Sequence, residues 1–189
     1  MEKINENIFC INNFFSFHDT IYSFIINNKN KLNFQRYENH LDINSDNAYK
    51  MSYIMVTNNL IELKDTFISL QKKTQNVVEK IWGGSHYCHW QDTPYLGSIN
   101  IYQKGDYQMD HNDLHNDTEP MEYSCVYYLN EDYEGGNLSF PDLGITFKPK
   151  KNSLVLFLSK LNHKSEIIIS GEKIISAFFY RNILKAPSI

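Results

Sequence analysis

Residues 122–158 read EYSCVYYLNEDYEGGNLSFPDLGITFKPKKNSLVLFL, and this stretch decides the class of fold. Its apolar or alternating runs are short and are separated by segments rich in Asn, Gly, Pro and Asp, the residues that form turns. Such runs predict β-strands, at residues 122–129, 136–140, 144–147 and 153–158. Their close and regular spacing is typical of a sandwich or barrel.

On either side of this stretch, the same pattern of short apolar runs between turn residues predicts further strands at 96–103, 163–169 and 173–183. The chain before residue 95 is different. Residues 18–26 fit a helix, and a longer amphipathic helix begins near Thr57 and ends at Gly83 and Gly84. Its buried face is predicted from an apolar spacing of three and four: Leu60, Leu63, Phe67, Leu70, Val77, Val78 and Ile81.

The pattern as a whole predicts an α+β chain whose first third is mostly helical. We expect one domain over 1–189, with helical support at about 1–94 and a jelly-roll catalytic core, a double-stranded β-helix barrel, at about 95–183. The mouth of such a barrel suits a small cofactor.

Composition disfavours several classes of protein. Of 189 residues, 42% are hydrophobic, which is enough for a packed core, and the net charge of -4 lacks the basic excess that nucleic-acid binding demands. Cys10, Cys88 and Cys125 form no C-x-x-C pair, which disfavours a disulfide framework or a zinc ribbon. Neither a signal-peptide core nor an apolar span of about 20 residues is present, so we expect a cytoplasmic protein with no membrane segment.

The chemistry is concentrated in residues 102–113, which read YQKGDYQMDHND. His111 and Asp113 are two positions apart, so on an extended segment both side chains reach one metal ion while Asn112 faces away. His163, which follows the run 153–158, is the candidate third ligand. Two His and one carboxylate form the facial triad of non-haem iron(II) oxygenases. Zinc is the rival metal, although the helical H-E-x-x-H arrangement of zinc proteases is absent.

The triplet alone is ambiguous, because His111-Asn-Asp113 is followed at once by the identical His115-Asn-Asp117. The wider spacing resembles that of the prolyl 4-hydroxylase-like 2-oxoglutarate and Fe(II)-dependent dioxygenases: Y-x2-G-x5-H-x-D, then G-G-x-L-x-F, then a distal H followed ten residues later by K or R. The matching positions are Tyr102, Gly105, His111, Asp113, Gly135, Gly136, Leu138, Phe140, His163 and Lys173. The resemblance covers about residues 95–183 and selects the first triplet.

This resemblance implies an oxidoreductase that uses Fe(II), 2-oxoglutarate and O2, with ascorbate as reductant, to hydroxylate a C–H bond. His111, Asp113 and His163 would bind the iron. Lys173 would neutralise the far carboxylate of 2-oxoglutarate, because a carboxylate buried inside a barrel requires a cation. Tyr102 would hydrogen-bond the same carboxylate. Related halogenases lack the carboxylate ligand, so the presence of Asp113 favours hydroxylation.

The substrate that the resemblance favours is a prolyl residue of a peptide or protein. A free amino acid, another small molecule or a nucleobase stays open, because fold does not fix substrate. Two other classes also stay open: a non-catalytic jelly-roll binding module, and a zinc hydrolase that needs no 2-oxoglutarate. Residues 115–122 and 83–95 are candidate substrate contacts, and the residues indicate no oligomeric state.

Three further groups have structural interpretations that we favour. His86 and His89, beside Trp82 and Trp90, are expected to pack at a helix end rather than to bind a second metal. Gly135 and Gly136 are expected to form a turn with positive φ and to do no chemistry. Arg181 is an alternative anion-binding cation, but its spacing favours Lys173 instead.

Overall fold

The computed structural model describes residues 1–39, 49–57, 59–89, 94–114 and 121–182. These residues contain two α-helices, α1 (His18–Asn28) and α2 (Ile61–Trp82), and a 3-10 turn at Pro141–Leu143. The strands are β1 (Glu2–Asn5), β2 (Ile8–Ile11), β3 (Gln35–Asn39), β4 (Tyr49–Thr57), β5 (His86–Cys88), β6 (Tyr95–Tyr102), β7 (Tyr107–His111), β8 (Tyr123–Tyr128), β9 (Tyr133–Gly135), β10 (Leu138–Phe140), β11 (Ile145–Phe147), β12 (Ser153–Leu158), β13 (His163–Ser165), β14 (Ile168–Gly171) and β15 (Lys173–Asn182).

Antiparallel pairing joins most strands into one sheet with the order β1-β2-β12-β8-β15-β6-β4-β7-β13-β10-β11, while β3 pairs with β4, β5 with β15, and β9 with β14. The sheet curls over on itself. Phe140 of β10 and Phe157 of β12 have six strands between them in this order, yet their rings meet edge to face with centroids 5.1 Å apart. This curled antiparallel sheet with flanking helices confirms the jelly-roll prediction.

Strand β12, SLVLFL, has no polar face because both of its faces are buried. Leu154 and Leu156 pack in the cluster that includes the helices, whereas Val155 and Phe157 pack in the interior of the curled sheet. A continuous apolar run is the expected pattern for a strand covered on both sides. The same period of two runs through β6, β8 and β15 and decides which side chains enter the interior.

Helix α2 packs against the sheet as predicted, with Leu63, Phe67, Leu70 and Val78 fully buried. The helix begins at Ile61 rather than near Thr57, because Thr57 is the last residue of β4 and pairs with Tyr95. It ends at Gly83, whose backbone N–H bonds the carbonyl of Glu79 at a positive φ of 72°. None of the described helices is long and apolar enough to cross a membrane.

The expectation of a mostly helical first third is wrong. Strands β1 to β4 all lie before residue 58, and α1 is the one α-helix among the residues described there, 1–39 and 49–57. The short strands β1 to β3 have too few residues to show a period. Strand β4 takes its conformation from its neighbours, since it pairs with β3, β6 and β7 and so becomes an inner strand of the sheet.

Downstream of residue 95, each predicted strand is found within two residues of its expected ends, although one of them is divided into two strands. Residues 163–169 were expected to form one strand but form the end-to-end strands β13 and β14. Between these two strands the backbone N–H of Glu166 donates to the carbonyl of Asn137, and the pairing partner changes from β10 to β9. Residue 183, predicted as the end of the last strand, lies outside the described residues.

Candidate active site

The sheet register places two of the predicted ligands face to face. His111, the last residue of β7, is directly opposite His163, the first residue of β13. Their ring centroids are 4.2 Å apart. Adjacent antiparallel strands bring opposed side chains this close without help from loops, so the pairing follows from the fold itself.

Asp113 completes the cluster from the segment that follows β7. Its backbone N–H donates to the carbonyl of Ser159 (2.9 Å), and its Oδ2 accepts a hydrogen bond from Ser124 Oγ (2.6 Å). Its two carboxylate oxygens lie 3.5 Å from His111 Nε2 and from His163 Nε2, one each. The ligand atoms of all three residues lie within 4.8 Å of one another, which is the spacing of a metal site.

Both imidazoles are held with the same nitrogen turned to this point. His111 Nδ1 bonds the Met109 carbonyl at 2.8 Å, and His163 Nδ1 bonds the Leu161 carbonyl at 3.0 Å. A carbonyl only accepts, so each Nδ1 carries a hydrogen and each neutral ring presents the lone pair of Nε2. A backbone carbonyl on the far nitrogen is the usual way in which proteins orient metal-binding His.

The pKa shifts of the three triad residues favour binding of a metal cation. Burial alone would raise the pKa of the Asp113 carboxyl, but its contacts with the His111 and His163 imidazoles outweigh burial and lower that pKa. Burial lowers the pKa of His163, whereas His111 keeps a raised pKa because contact with Asp113 outweighs its own burial. An ionised carboxylate between two imidazoles is a donor set that a divalent metal would bind.

The cluster lines a cavity of about 700 Å³ that also contains Lys173. Lys173 is 1% exposed, and its Nζ donates to the carbonyl of Gly136 (2.9 Å) and to Ser165 Oγ (2.8 Å). Burial lowers the pKa of Lys173 to about 7, with the nearby Glu166 acting in the opposite direction. A buried ammonium that shares a cavity with a metal site is placed to receive an anionic group.

Tyr102 lies opposite Lys173 across β6 and β15, and Lys173 Nζ is 5.2 Å from the centre of the Tyr102 ring. Burial raises the pKa of the Tyr102 hydroxyl, so that hydroxyl keeps its proton. The hydroxyl donates to Gln108 Oε1 at 3.1 Å, and Gln108 Nε2 lies 2.9 Å from His111 Nε2. Tyr102 is therefore in the predicted cavity, but its hydrogen bond goes to Gln108.

Four residues that contact the site were not predicted from the sequence. Ser124 holds Asp113, Ser165 holds Lys173, Tyr128 places its ring 5.5 Å from Lys173 Nζ, and Gln108 touches His111. Ser165 could have been found, since it is two residues after His163 on one strand. Ser124 and Tyr128 depend on which strands are neighbours, which the chain order does not reveal.

The other candidates fall elsewhere. Arg181 does not line the cavity and pairs with Tyr87 across β5 and β15. His86 is fully buried against the Tyr123 ring, with ring centroids 4.9 Å apart, in agreement with a packing role. Among the described residues, the triad is the one group with metal-site spacing. His115, Asp117 and Trp90, and most of the proposed substrate loop, lie outside the described residues.

The turn at Gly135 and Gly136 does more than was expected of it. Both residues have positive φ (72° and 60°), and a Cβ on Gly135 would lie 2.2 Å from the Ile167 carbonyl oxygen. The prediction of a glycine turn is correct. The same turn exposes the Gly136 carbonyl to Lys173, so it also positions the buried cation.

Comparison with solved structures identifies the fold. The viral collagen prolyl hydroxylase of Paramecium Bursaria Chlorella virus-1 is 21% identical, with 94% of this chain and 96% of that chain covered and a TM-score of 0.66. A Pseudomonas putida prolyl-4-hydroxylase is 15% identical over 93% and 92% of the two chains, with a TM-score of 0.67. A Trichoplax adhaerens prolyl hydroxylase, solved with a hypoxia inducible factor peptide fragment, is 15% identical over 96% and 86%, with a TM-score of 0.67.

The curled sheet is a jelly roll, and its His-Asp-His cluster has the spacing of a metal site. No curated protein matches the chain by sequence. Residues 97–181 of the chain, which contain the triad, Lys173 and Tyr102, match the model of the 2OG-Fe(II) oxygenase superfamily. This match supports a 2-oxoglutarate-dependent dioxygenase, a class whose reaction uses Fe(II), 2-oxoglutarate and O2.

The residues present fit these groups. A donor set of two imidazole nitrogens and one carboxylate is the facial triad that holds Fe(II) while leaving positions open for other ligands. The buried ammonium of Lys173 in the same cavity fits an anionic cosubstrate.

Proposed function

We propose that His111, Asp113 and His163 hold the Fe(II) of this enzyme and that Lys173 binds the far carboxylate of 2-oxoglutarate. The observation that carries this proposal is that a metal-spaced triad and a fully buried ammonium line one cavity. Among the described residues, no carboxylate forms an ion pair with Lys173. A dicarboxylate cosubstrate would supply the missing negative charge, which favours its binding.

When bound, iron and 2-oxoglutarate supply the oxidising power, by coupling decarboxylation of 2-oxoglutarate to succinate and CO2 with insertion of oxygen into a C–H bond. The chain's own residues position these groups. Ser124 fixes the carboxylate of Asp113, and the carbonyls of Met109 and Leu161 fix the two imidazoles. The apolar interior around Phe140 and Phe157 excludes water from one side of the site.

We further propose that the substrate is a prolyl residue of a peptide or protein. The similar structures named above are prolyl hydroxylases, one of them solved with a peptide fragment. In this chain Met109 and Leu114, 38% and 41% exposed, flank the metal ligands and line the cavity. These two apolar side chains offer contacts to a pyrrolidine ring beside the metal ligands.

A cytoplasmic location is part of the proposal. Cys10, Cys88 and Cys125 are all buried, and none of them forms a disulfide bond. Proteins kept in a reducing compartment typically have no disulfides. Detection of the protein in the soluble cytoplasmic fraction would support this location, and recovery from a secreted fraction would contradict it.

The test of function is succinate formation by purified protein supplied with Fe(II), ascorbate, 2-oxoglutarate and O2, with and without a proline-rich peptide. We expect turnover that the peptide stimulates and that His111→Ala abolishes. Iron-dependent turnover that is indifferent to the peptide would retain the chemistry and reject the prolyl substrate. Failure of the wild-type protein to bind either iron or 2-oxoglutarate would reject the assignment.

A further inference from the structure

Strand β7 contains an irregularity at the site. His163 is opposite His111, and Ser165 is opposite Gln108, so two residue steps on β13 match three on β7. The extra residue on β7 is a β-bulge, which redirects side chains that a regular strand would send to the other face. Because of this bulge, Gln108 lies on the same side as His111 although the two are three positions apart.

The hydrogen bonds of Gln108 fix the orientation of its amide. Tyr102 Oη donates to Gln108 Oε1 at 3.1 Å, so the amide nitrogen is the group that faces His111. That nitrogen is 2.9 Å from His111 Nε2. In the neutral ring the Nδ1 hydrogen is already directed at Met109, so Gln108 donates into the lone pair of Nε2.

That lone pair is also the one that a metal ion would take. His111 Nε2 cannot accept a hydrogen bond from Gln108 and coordinate iron at the same time. Metal binding therefore frees the Gln108 amide N–H, while Tyr102 continues to hold the other end of the amide. The freed N–H faces the cavity and is then available to an acceptor on a ligand bound there.

The position of Gln108 indicates which ligand supplies the new acceptor. Its amide is between His111, at the metal, and Tyr102, whose ring contacts the buried ammonium of Lys173. A dicarboxylate that binds the metal at one end and Lys173 at the other must pass this amide.

We propose, on the basis of the function proposed above, that Gln108 is a cosubstrate-binding residue: once metal occupies His111, its amide donates to an oxygen of 2-oxoglutarate. Metal loading then prepares the cosubstrate site, since it breaks the hydrogen bond that holds Gln108 against His111. Tyr102 acts through Gln108 as a positioning residue in this arrangement.

The test compares Gln108→Leu with Gln103→Leu, a control at an exposed glutamine of the adjoining turn. Metal affinity is measured with Mn(II) alone, and 2-oxoglutarate affinity is measured without oxygen from the visible charge-transfer band of the Fe(II) complex. We expect Gln108→Leu to keep its Mn(II) affinity and to raise the dissociation constant for 2-oxoglutarate by roughly tenfold. The control should leave both constants unchanged.

A double variant tests the link to Tyr102. If Tyr102 acts through Gln108, Tyr102→Phe should weaken 2-oxoglutarate binding in the wild-type background and add little to Gln108→Leu. Equal loss of Mn(II) affinity in Gln108→Leu would instead show that Gln108 only supports His111, and would overturn the proposal. An unchanged 2-oxoglutarate constant, with or without a change in peptide affinity, would also overturn it. Wild-type protein that binds no 2-oxoglutarate would reject the proposed function itself.

Discussion

His111 and His163 form a directly opposed pair between β7 and β13, with their ring centroids 4.2 Å apart. Each ring is also fixed by a backbone carbonyl two residues earlier in the chain. The positions of these two proposed metal ligands are therefore set by strand register rather than by a loop. Replacing a ligand should remove the metal and leave the sheet in place.

We accordingly expect His111→Ala and His163→Ala to lose Fe(II) binding while they keep the wild-type circular dichroism spectrum. Two of three protein ligands do not hold an iron(II) ion tightly. The measurement is metal content after equilibration with Fe(II) and removal of unbound ion. Asn112→Ala is the matched control, because Asn112 lies between two ligands but its side chain bonds Leu114 N–H, and it should retain the metal.

Ser124→Ala should weaken metal binding without removing it. Its hydroxyl donates to Asp113 Oδ2 at 2.6 Å and also contacts Ser159 Oγ, so its loss frees the carboxylate to rotate. Loss of such a supporting group typically costs roughly 10–100-fold in metal affinity. Titration with Mn(II) measures this change. Ser139→Ala removes a similar hydroxyl pair, with Thr146, and should leave metal affinity unaltered; an equal effect of both variants would contradict the assignment.

Lys173→Met should abolish 2-oxoglutarate binding and stabilise the cosubstrate-free protein. The variant removes a cation that has no carboxylate partner among the described residues and leaves a side chain of similar length in the interior. We expect the free energy of unfolding in urea to rise by about 1 kcal/mol or more. A destabilised variant would show that Lys173 contributes to the fold through its bonds to Gly136 and Ser165.

The pKa of Lys173 predicts how cosubstrate affinity depends on pH. Burial lowers that pKa from 10.5 to about 7, so the side chain of the free protein becomes neutral above this value. Binding a carboxylate then requires uptake of a proton, and the dissociation constant for 2-oxoglutarate should rise by up to about tenfold per pH unit above 7. Oxalate, which is too short to join the metal to Lys173, is the control anion and should not show this rise.

The lowered pKa of Lys173 also makes the free energy of unfolding depend on pH. The folded protein releases the Lys173 proton near pH 7, and the unfolded chain releases it near 10.5. Between these values the unfolded state binds more protons, so the Lys173 contribution to the free energy of unfolding increases as pH rises. Urea denaturation of wild type and Lys173→Met should converge over this range, and a constant difference would contradict the lowered pKa.

Asp106 anchors the turn before β7 to the outer strand β3. It is fully buried, accepts two hydrogen bonds from the Arg36 guanidinium at 2.5 and 2.6 Å, and also bonds the backbone N–H of Gln103. Asp106→Asn should lower the free energy of unfolding by roughly 1–3 kcal/mol, because it leaves a bidentate, charge-assisted pair unmade. Glu38→Gln is the control, since Glu38 pairs with Arg36 at the surface, where such pairs contribute little.

Much of the core could be predicted because its strands are short, regular and bounded by strong turn residues. Ser153 to Leu158 was predicted to the residue, since a run of five apolar residues between Asn152 and Lys160 admits few alternatives. Strand β4 was missed because its conformation comes from partners distant in the chain. Gln108 was missed for a related reason: only the pairing of β7 with β13 reveals the bulge that turns it towards His111.

The central claim is that this chain hydroxylates a prolyl residue with O2 and 2-oxoglutarate. The direct measurement is mass spectrometry of a proline-rich peptide after reaction under isotopically labelled dioxygen, with Fe(II), ascorbate and 2-oxoglutarate, and with His163→Ala in parallel. The account predicts that wild-type protein adds one labelled oxygen atom to a proline and that the variant adds none. Succinate formation with no labelled oxygen in the peptide would contradict the prolyl assignment, and full activity of His163→Ala would contradict the proposed metal site.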